Sequence, residues 1–299
     1  MKNGDCPFFA AALLAATSFQ SAPPRASDTA ADHHRRGVAD HERRSLDEAS
    51  REYARALELD PPRDPTPEEL ARAHRFAPRL YTTRSEFFPL KDFAVVVHPA
   101  EPVIAYHFFW EDDIDFPEDN DPCDHELMWI EHSSDGADIT RIWTYFHGRI
   151  LEGGPEAVQD ARRHQMRPRV NVQWGKHGSM PHGWESLSIR ANEGDIERKY
   201  LSLDRPISLK EYNGATFKKL STEGRRLMEH PLSRRLGWPD RFAGDWQAFV
   251  DFSRPIDTQE WLDRTKMIKV SRWNSATIDQ HFLPYNFRPK IEWPAFARR

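Results

Sequence analysis

Two carboxylates stand two positions apart in the segment from Asp121 to His132, which has the composition of a buried strand. Successive side chains of a strand point to opposite faces, so Asp124 and Glu126 project to the same side. Neighbouring carboxylates repel each other unless a proton or a cation lies between them. Oxygen ligands suit a hard divalent ion. The spacing therefore predicts a divalent-cation site, with Ca²⁺ or Mg²⁺ favoured.

A dense acidic loop, 111–121, precedes this strand and brings further carboxylates to its start. Acidic loops on soluble proteins are usually solvated, but this placement favours metal binding. The loop is not an EF-hand, because the central Gly and the final Glu of that motif are missing.

The turn after the strand predicts a histidine near the carboxylates. An Asp-Gly pair at 135–136 is a strong two-residue hairpin signal, and pairing outward from it sets His147 opposite Asp124. Directly opposed residues share a face of the sheet, so His147 would join the site. A single β-bulge would shift the register and remove it.

A second segment of interest is a glycine-rich loop that leaves a strand, where Gly175 and Gly178 flank Lys176 and His177. Such a loop can bring the His177 imidazole close to a ligand; a simple turn with exposed histidines is the alternative. His177 or His147 would be a general base in an enzyme, and Lys176 could steady a developing negative charge.

Two tryptophans beside this loop, Trp174 and Trp184, could stack on a sugar if they are exposed. Aromatic residues of this kind more often belong to a core. The sequence alone leaves both readings open.

The strands carrying these residues belong to a region of short β-rich runs, 79–205, whose pattern is typical of an antiparallel sandwich or barrel. Residues 45–78 read as helical, with capping-box spacings at Ser45 and Thr66. Residues 23–44 are polar and predict a disordered linker, and 206–299 read as a helical extension with one strand at 267–273. We expect a mainly β protein: an antiparallel β-sandwich with flanking N- and C-terminal helices.

The chain begins with a candidate export signal. An apolar run at 8–19 follows Lys2, and small residues near Ala22 would suit cleavage, so 1–22 predicts a signal peptide and a secreted or periplasmic protein. Asp5 is unusual in such a region, and a disordered apolar tail is the alternative. The run is short for a bilayer, and we expect no transmembrane segment.

Composition narrows the class of protein. The 299 residues carry a net charge of −5, which does not suggest a nucleic-acid binder. The two cysteines, Cys6 and Cys123, would leave only Cys123 after cleavage, so no intramolecular disulfide is expected. Cys123 could be a thiolate ligand, but packing in a loop or core is the commoner role.

The two segments together resemble the Vps62-related and necrosis-inducing (NPP1-like) protein group over residues 79–205. Asp124-His125-Glu126 matches the family's Asp-Trp-Glu, with His125 in place of Trp, and Lys176-His177-Gly178 matches a later His-Gly loop. The resemblance implies a β-sandwich that holds a divalent cation with the motif carboxylates, an upstream Asp and a His.

Transferred to this chain, the resemblance implies Asp124 and Glu126 as ligands, Asp113 as the upstream acid, and His177 as the histidine. Asp121 stands where the necrosis-inducing branch has a His, and it is a further candidate ligand beside Asp113, Asp124 and Glu126. The loss of that branch's Gly-His-Arg-His start argues against cytolytic activity but not against metal binding.

Three functions follow from these features. The first is cation-dependent recognition of a glycan or a lipid headgroup. The second is a metal-dependent hydrolase with His177 or His147 as general base. The third is a structural cation that only pins the acidic loop. A histidine ligand would move the metal toward Mn²⁺ or Zn²⁺, and the oligomeric state is left open.

Overall fold

The computed structural model describes residues 28–86, 88–114, 123–227, 245–265, 267–282, 289–290 and 292–294, without the side chains of 223–227. The predicted signal peptide, 1–22, and Asp121 lie outside these residues.

The helices of the described residues lie mainly toward the two ends of the chain. They are α1 Ala30–Glu42, α2 Leu46–Leu59, α3 Pro67–Arg75, α4 Pro155–Arg163, α5 Leu209–Leu227, α6 Trp246–Phe249, α7 Thr258–Leu262 and α8 Asn274–Phe282.

The strands are short and occupy the middle of the chain and two later places. They are β1 Arg79–Thr82, β2 Leu90–Val97, β3 Val103–Trp110, β4 Asp124–His132, β5 Ile139–Phe146, β6 Arg149–Glu152, β7 Arg169–Val172, β8 Ser179–Pro181, β9 Ser188–Ile189, β10 Ile207–Ser208, β11 Arg254–Asp257 and β12 Ile268–Val270.

Two sheets form the centre of the protein. A six-stranded sheet has the order β12-β2-β3-β4-β5-β6, and a four-stranded sheet has the order β11-β1-β7-β8; β9 and β10 form a small separate pair. Most neighbours are antiparallel, but β1 pairs with β7 and β2 with β12 in parallel. Helices hold more residues than strands. The fold is therefore mixed α and β with mixed sheets, and the expected mainly β, purely antiparallel sandwich is corrected in that respect.

The two sheets share one apolar core. Leu80 of β1 and Val170 of β7 belong to the same buried cluster as Phe93, Tyr106 and Met128 of the six-stranded sheet. Helices α3, α4 and α7 contribute to the edges of this cluster. Burial of such side chains is the main favourable term in folding, and it sets the four-stranded sheet against one face of the six-stranded sheet.

The second face of the six-stranded sheet is covered by the C-terminal part of the chain. Leu127 and Trp129 of β4 pack there with Ile278 of α8 and Trp293. Because both faces are buried, every residue of β3 is buried, and all of them except His107 are aliphatic or aromatic.

The C-terminal chain adds one strand to each of the two sheets, and β12 lies within the strand predicted at 267–273. Strand β11 pairs with β1 and β12 pairs with β2, so the sheets are not confined to 79–205. The C-terminal extension, 206–299, therefore completes both sheets.

The predicted linker 23–44 is wrong over the residues that the structure describes. Helix α1 begins with a capping box between Thr29 and Asp32, and its buried residues are His33, Gly37 and His41. The helix was missed because these residues are polar or small rather than apolar. Nδ1 of His33 lies 2.8 Å from a carboxylate oxygen of Glu52 on α2, so the helix packs through histidines.

The capping predictions for the next two helices have different outcomes. At α3 both hydrogen bonds of the predicted Thr66–Glu69 box form. At α2 Ser45 is the N-cap residue, but its side chain makes no capping hydrogen bond.

Packing of α1 on α2 can be tested with two helical glycines. A Cβ at Gly37 would lie 2.6 Å from Cδ1 of Tyr53, whereas one at Gly214 of α5 meets nothing within 4 Å. We expect Gly37→Ala to lower the free energy of unfolding by about 1–3 kcal/mol through overpacking. Gly214→Ala should raise it by about 0.5–1 kcal/mol. Urea unfolding measures both, and equal stabilisation by the two variants would contradict the packing of α1 on Tyr53.

Candidate metal centre

Asp124 and Glu126 lie on the face of β4 that meets the four-stranded sheet, as the alternation predicts. Met128 and Ile130, on the same face of the strand, belong to the core between the sheets. His125 points the other way, where its Nε2 lies 2.9 Å from Nδ1 of His107. Its ring stacks on a phenylalanine of β3, which is the place of an aromatic core residue.

Chain topology brings four segments to the Asp124 end of the sheet. Trp110, the last residue of β3, pairs with Asp124, the first residue of β4. Since β1 and β7 are parallel, the segments that follow them emerge at one edge. Those segments carry Glu86 and the loop 173–178.

The loop 173–178 closes the β7–β8 hairpin and is held by its own glycines. Gly175 has φ +67 and a Cβ there would lie 2.7 Å from Ile114; a Cβ at Gly178 would lie 2.8 Å from the ring of Phe146. The carbonyl of Gly175 accepts a 2.8 Å hydrogen bond from the amide of Ile114. The close approach that the two glycines permit sets the loop against the β3–β4 connection.

Two buried acids fix the loop further. Oε2 of Glu86 accepts a hydrogen bond of 2.7 Å from the amide of Gly175. Nζ of Lys176 lies 2.9 Å from Oε1 of Glu197, and both side chains are buried. Hydrogen bonds from Tyr212 and Thr216 complete the surroundings of Glu197.

His177 is completely buried between two carboxylates. Its Nδ1 donates to Oδ2 of Asp124 at 2.9 Å, and its Nε2 lies 3.7 Å from Oε1 of Glu86. The ring stacks on Trp110 with centroids 4.3 Å apart and planes within 6°. A φ of +53 holds the backbone in the left-handed region, which non-glycine residues adopt infrequently.

This environment makes His177 a cation. Burial would lower the pKa of His177, but the carboxylates of Glu86 and Asp124 outweigh it and raise the pKa to about 9. Burial would likewise raise the pKa of Glu86, but the His177 charge and backbone hydrogen bonds hold it below its usual value. The imidazolium therefore bridges Glu86 and Asp124.

Glu126 is the buried carboxylate that this arrangement leaves unsatisfied. The residue is 3 % exposed, and its Oε2 has no hydrogen-bond partner. Burial raises the pKa of Glu126 to about 8; Asp124 adds to this effect and Lys290 opposes it. Such an oxygen costs free energy unless a proton or a cation satisfies it.

The expected meeting of His147 with Asp124 is wrong, because a bulge shifts the register. His132 pairs with Ile139, in the register that the turn predicts, but the pairing then slips and Glu131 pairs with Arg141. His147 instead lies in the tight β5–β6 turn with φ +45.

In that turn His147 contacts the loop rather than the carboxylates of β4. Its Nε2 lies 2.5 Å from Oε1 of Gln173. Burial and the Lys176 charge lower the pKa of His147 to about 4. The ring is therefore neutral near pH 7 and supports the loop through Gln173.

The tryptophans expected to stack on a ligand are buried. Trp174 is 1 % exposed in a cluster with Phe88, and Trp184 is 5 % exposed in a cluster with Met180. Both tryptophans are therefore core residues, and their rings are not available to stack on a sugar. Cys123 is also buried, as expected of a packing residue.

Sequence reasoning missed two residues of the site, Glu86 and Trp110, and one lysine, Lys290, whose charge acts on the site from over Tyr145 on the other face of the sheet. Glu86 follows β1 by a few residues and carries no local motif. Lys290 interacts electrostatically with Glu126, Asp124 and Asp113 although it lies far away in the chain. The parallel pairing of β1 with β7 is the one feature that would have placed Glu86 beside the loop.

The structure describes one of the two other predicted acidic ligands. Asp113 is partly buried, next to the Ile114 that contacts the loop, whereas Asp121 lies outside the described residues. Across the described ranges, no three or more His, Cys, Asp and Glu side chains are arranged to hold one metal ion. Of the predicted set, Asp124 and His177 are in direct contact.

Comparisons with known proteins give one structural similarity. No family model and no curated protein matches the chain. The crystal structure of necrosis and ethylene inducing protein 2, from the causal agent of cocoa's witches' broom disease, aligns at 14% identity with a TM-score of 0.28. The alignment covers 40% of this chain and 73% of that one. The similarity is weak, and membership of the Vps62-related group stays a prediction.

The charges of the site predict how stability depends on pH in the absence of metal. The pKa of His177 is about 9 in the folded protein, against an ordinary value of 6.5. The protonated imidazole therefore stabilises the fold fully below pH 6.5, and this stabilisation is lost as the pH rises through 9. The pKa of Glu126 is raised to about 8, so ionisation of this buried carboxyl also lowers the stability of the fold as the pH rises. We therefore expect the melting temperature in EDTA to fall between about pH 6.5 and 9.

Glu126→Gln removes one of these two groups, so its melting temperature should fall less over the same interval. Calorimetry of both proteins across the pH series measures the difference. A wild-type melting temperature that rises from pH 6.5 to 9 would show that the two groups are not charged as described.

Proposed function

We propose that this protein binds a divalent cation through Asp124 and Glu126. The observation that carries the proposal is the buried Glu126 carboxylate, whose Oε2 has no partner and which stands beside a second carboxylate. A cation would satisfy the free oxygen and remove the repulsion between the two acids.

Two protein carboxylates are sufficient for such an ion. Mg²⁺ is commonly held by one or two carboxylates and keeps several waters, and Ca²⁺ adds backbone carbonyls and waters. Asp113 is the candidate for a further ligand, and Asp121 is an additional one from the sequence. Oxygen ligation favours Ca²⁺ or Mg²⁺ over Mn²⁺ or Zn²⁺.

His177 has a different role in this proposal from that of a ligand. Its Nδ1 already donates to Asp124, and both ring nitrogens face carboxylates. A histidine must be neutral to ligate a metal. His177 therefore orients Asp124 as an outer residue, as is common for groups that hydrogen-bond to ligating carboxylates.

The positions left open on the ion suit an oxygen-rich ligand. Asp124 keeps some solvent exposure, 13% of its side chain, so the ion can be reached from outside. Hydroxyls of a glycan or the phosphate of a lipid headgroup would complete its coordination. Recognition rests on the cation in this proposal, since the two tryptophans do not offer a stacking surface.

Hydrolysis is less well supported by the geometry. A general base must be free to take a proton, but both ring nitrogens of the buried His177 face carboxylates of the protein. His147 is directed to Gln173 and Lys176 to Glu197. A purely structural cation is the remaining alternative, and ligand-binding assays separate it from recognition.

Export and family membership belong to the same proposal. The predicted signal peptide would send the protein to the periplasm or outside the cell, where calcium-dependent recognition is common. Of the described helices, none is long and apolar enough to cross a membrane. Relationship to the Vps62-related and necrosis-inducing group is proposed on the two sequence motifs.

The cation site is tested with the double variant Asp124→Asn/Glu126→Gln. We expect the wild type to retain one ion after dialysis and the double variant to retain none, because both ligand charges are lost while the side-chain shapes remain. Plasma mass spectrometry gives the stoichiometry, and titration calorimetry with Ca²⁺ and Mg²⁺ gives the affinity.

Glu131→Gln is the matched control, because it neutralises an acid on the opposite face of the same strand. It should bind as the wild type does. An ion retained by the double variant would place the site elsewhere, and no ion in any of the three proteins would refute the proposal. If cation removal lowers only the melting temperature and leaves glycan-array and liposome binding unchanged, the ion is structural.

The outer role of His177 gives a separate prediction. His177→Ala should keep the ion, with a loss of affinity of about 10- to 100-fold, as outer-shell changes typically cause. His177→Gln, which can still donate to Asp124, should lose less. If calorimetry and mass spectrometry show a complete loss of the ion, equal to that of the double variant, His177 is a direct ligand.

A further inference from the structure

Helix α1 is attached to the rest of the protein largely through polar contacts. Three of its histidines each face a carboxylate from outside the helix. The pairs, with the distance between ring nitrogen and carboxylate oxygen, are His33–Glu52 at 2.8 Å, His34–Glu292 at 3.6 Å and His41–Asp279 at 3.5 Å. To the apolar cluster of Ala49, Tyr53 and Ala276, α1 adds Val38, which is only partly buried. Partly exposed pairs contribute little net stability, and desolvation offsets much of the attraction in buried ones.

The connection between α1 and α2 is a short turn that carries two adjacent arginines. Arg43 and Arg44 are both exposed. The amide of Arg44 donates to the carbonyl of His41 at 2.9 Å, and the amide of Ser45 donates to the carbonyl of Asp40 at 2.9 Å. Arg44 has φ +60, in the left-handed region that non-glycine residues adopt infrequently. The turn is therefore exposed and tight, with its second arginine in a strained conformation.

We propose that the bond between Arg44 and Ser45 is a processing site for an endoprotease that cuts after arginine, and that the cut releases α1. Hydrolysis breaks the bond between the carbonyl carbon of Arg44 and the nitrogen of Ser45. Water adds its hydroxyl to the carbon and its hydrogen to the nitrogen. After the carboxyl proton moves to the amine, Arg44 ends in a carboxylate and Ser45 begins with an ammonium group. The inference is independent of the proposed cation site.

Access to the bond depends on how easily the flanking helix opens. Proteolysis of a folded chain proceeds through locally opened states, and exposed turns are its preferred sites. Local opening is easiest where few buried apolar contacts are lost. Because α1 adds little to the apolar cluster, the arginine turn can open while the two sheets stay folded.

A second pair of exposed arginines, Arg162 and Arg163 at the end of α4, provides the contrast. Arg162 donates two hydrogen bonds to Asp138, at 2.9 and 2.6 Å. Ala157 and Ala161 of the same helix belong to the buried core between the sheets. Opening α4 therefore disrupts that core, whereas opening α1 leaves it intact.

Helix α1 should leave the protein once the bond is cut. The covalent connection keeps α1 beside α2 at an effective concentration of roughly millimolar order. In a solution of about 1 µM protein, the cut lowers that concentration about a thousandfold. A helix of 13 residues is also only marginally stable alone in water. Loss of the helical structure after release therefore opposes rebinding.

Release of α1 would change the surface that α2 and α8 present to solvent. The ring of Tyr53 lies against Gly37 and is fully buried. The Trp273 ring stacks on His34 with centroids 4.9 Å apart. Asp279 faces α1 and is 1% exposed. Processing would thus uncover aromatic rings together with negative charge.

The test follows two bonds of the full-length protein during limited digestion with trypsin, by mass spectrometry of timed samples. We expect the Arg44–Ser45 bond to be cut at least roughly tenfold faster than the Arg163–His164 bond. Arg43→Gln/Arg44→Gln should abolish the first cut. Arg51→Gln is the control, since Arg51 is an exposed arginine inside α2, and it should leave both rates unchanged.

Release is measured by gel filtration of the cut protein at about 1 µM. The piece that ends at Arg44 should elute apart from the rest of the chain. An Arg44–Ser45 bond that is cut no faster than the Arg163–His164 bond would overturn the processing site. A cut piece that elutes together with the rest would overturn the release.

The protein purified from the cells that naturally make it gives a second test. Intact mass and N-terminal sequencing should show a chain that begins at Ser45. A mature chain that still contains α1 would show that the bond is not a processing site, whatever its rate of cleavage by trypsin.

Discussion

The buried charge of His177 is the constraint on which the rest of the site depends. An ion in a protein interior is very unfavourable unless opposite charges and hydrogen bonds surround it. This protein supplies two carboxylates, Glu86 and Asp124, from segments that follow β1 and begin β4. Trp110 covers the ring at the end of β3. Both sheets must therefore be in place before the imidazolium is stable.

Part of this arrangement follows from local sequence rules. The two-residue period of a strand places Asp124 and Glu126 on one face, and the same rule turns His125 into the opposite core. The Thr66–Glu69 spacing predicts the start of α3, and both hydrogen bonds form. These successes share a cause: each depends on residues within one turn or one strand of each other.

The failures depend on contacts between distant parts of the chain. A bulge between Glu131 and His132 has no signal in the sequence, yet it moves His147 away from Asp124. Helix α1 has few apolar residues, and its buried histidines find partners on the distant helices α2 and α8. Burial of Trp174 and Trp184 likewise depends on helices that pack over the loop from later in the chain. Period and composition cannot reveal such partners.

The C-terminal strands have a consequence for how the protein reaches this fold. Strand β12 adds to the edge of the sheet beside β2, and β11 adds beside β1, so each pairing closes a loop of most of the chain. Contacts of such long range slow folding. A chain emerging from its N-terminus would expose two unpaired sheet edges until its last quarter arrived, and an unpaired edge readily joins another chain. Premature pairing between nascent copies is therefore the main misfolding hazard of this topology. The late strands β11 and β12 remove it when they pair with β1 and β2.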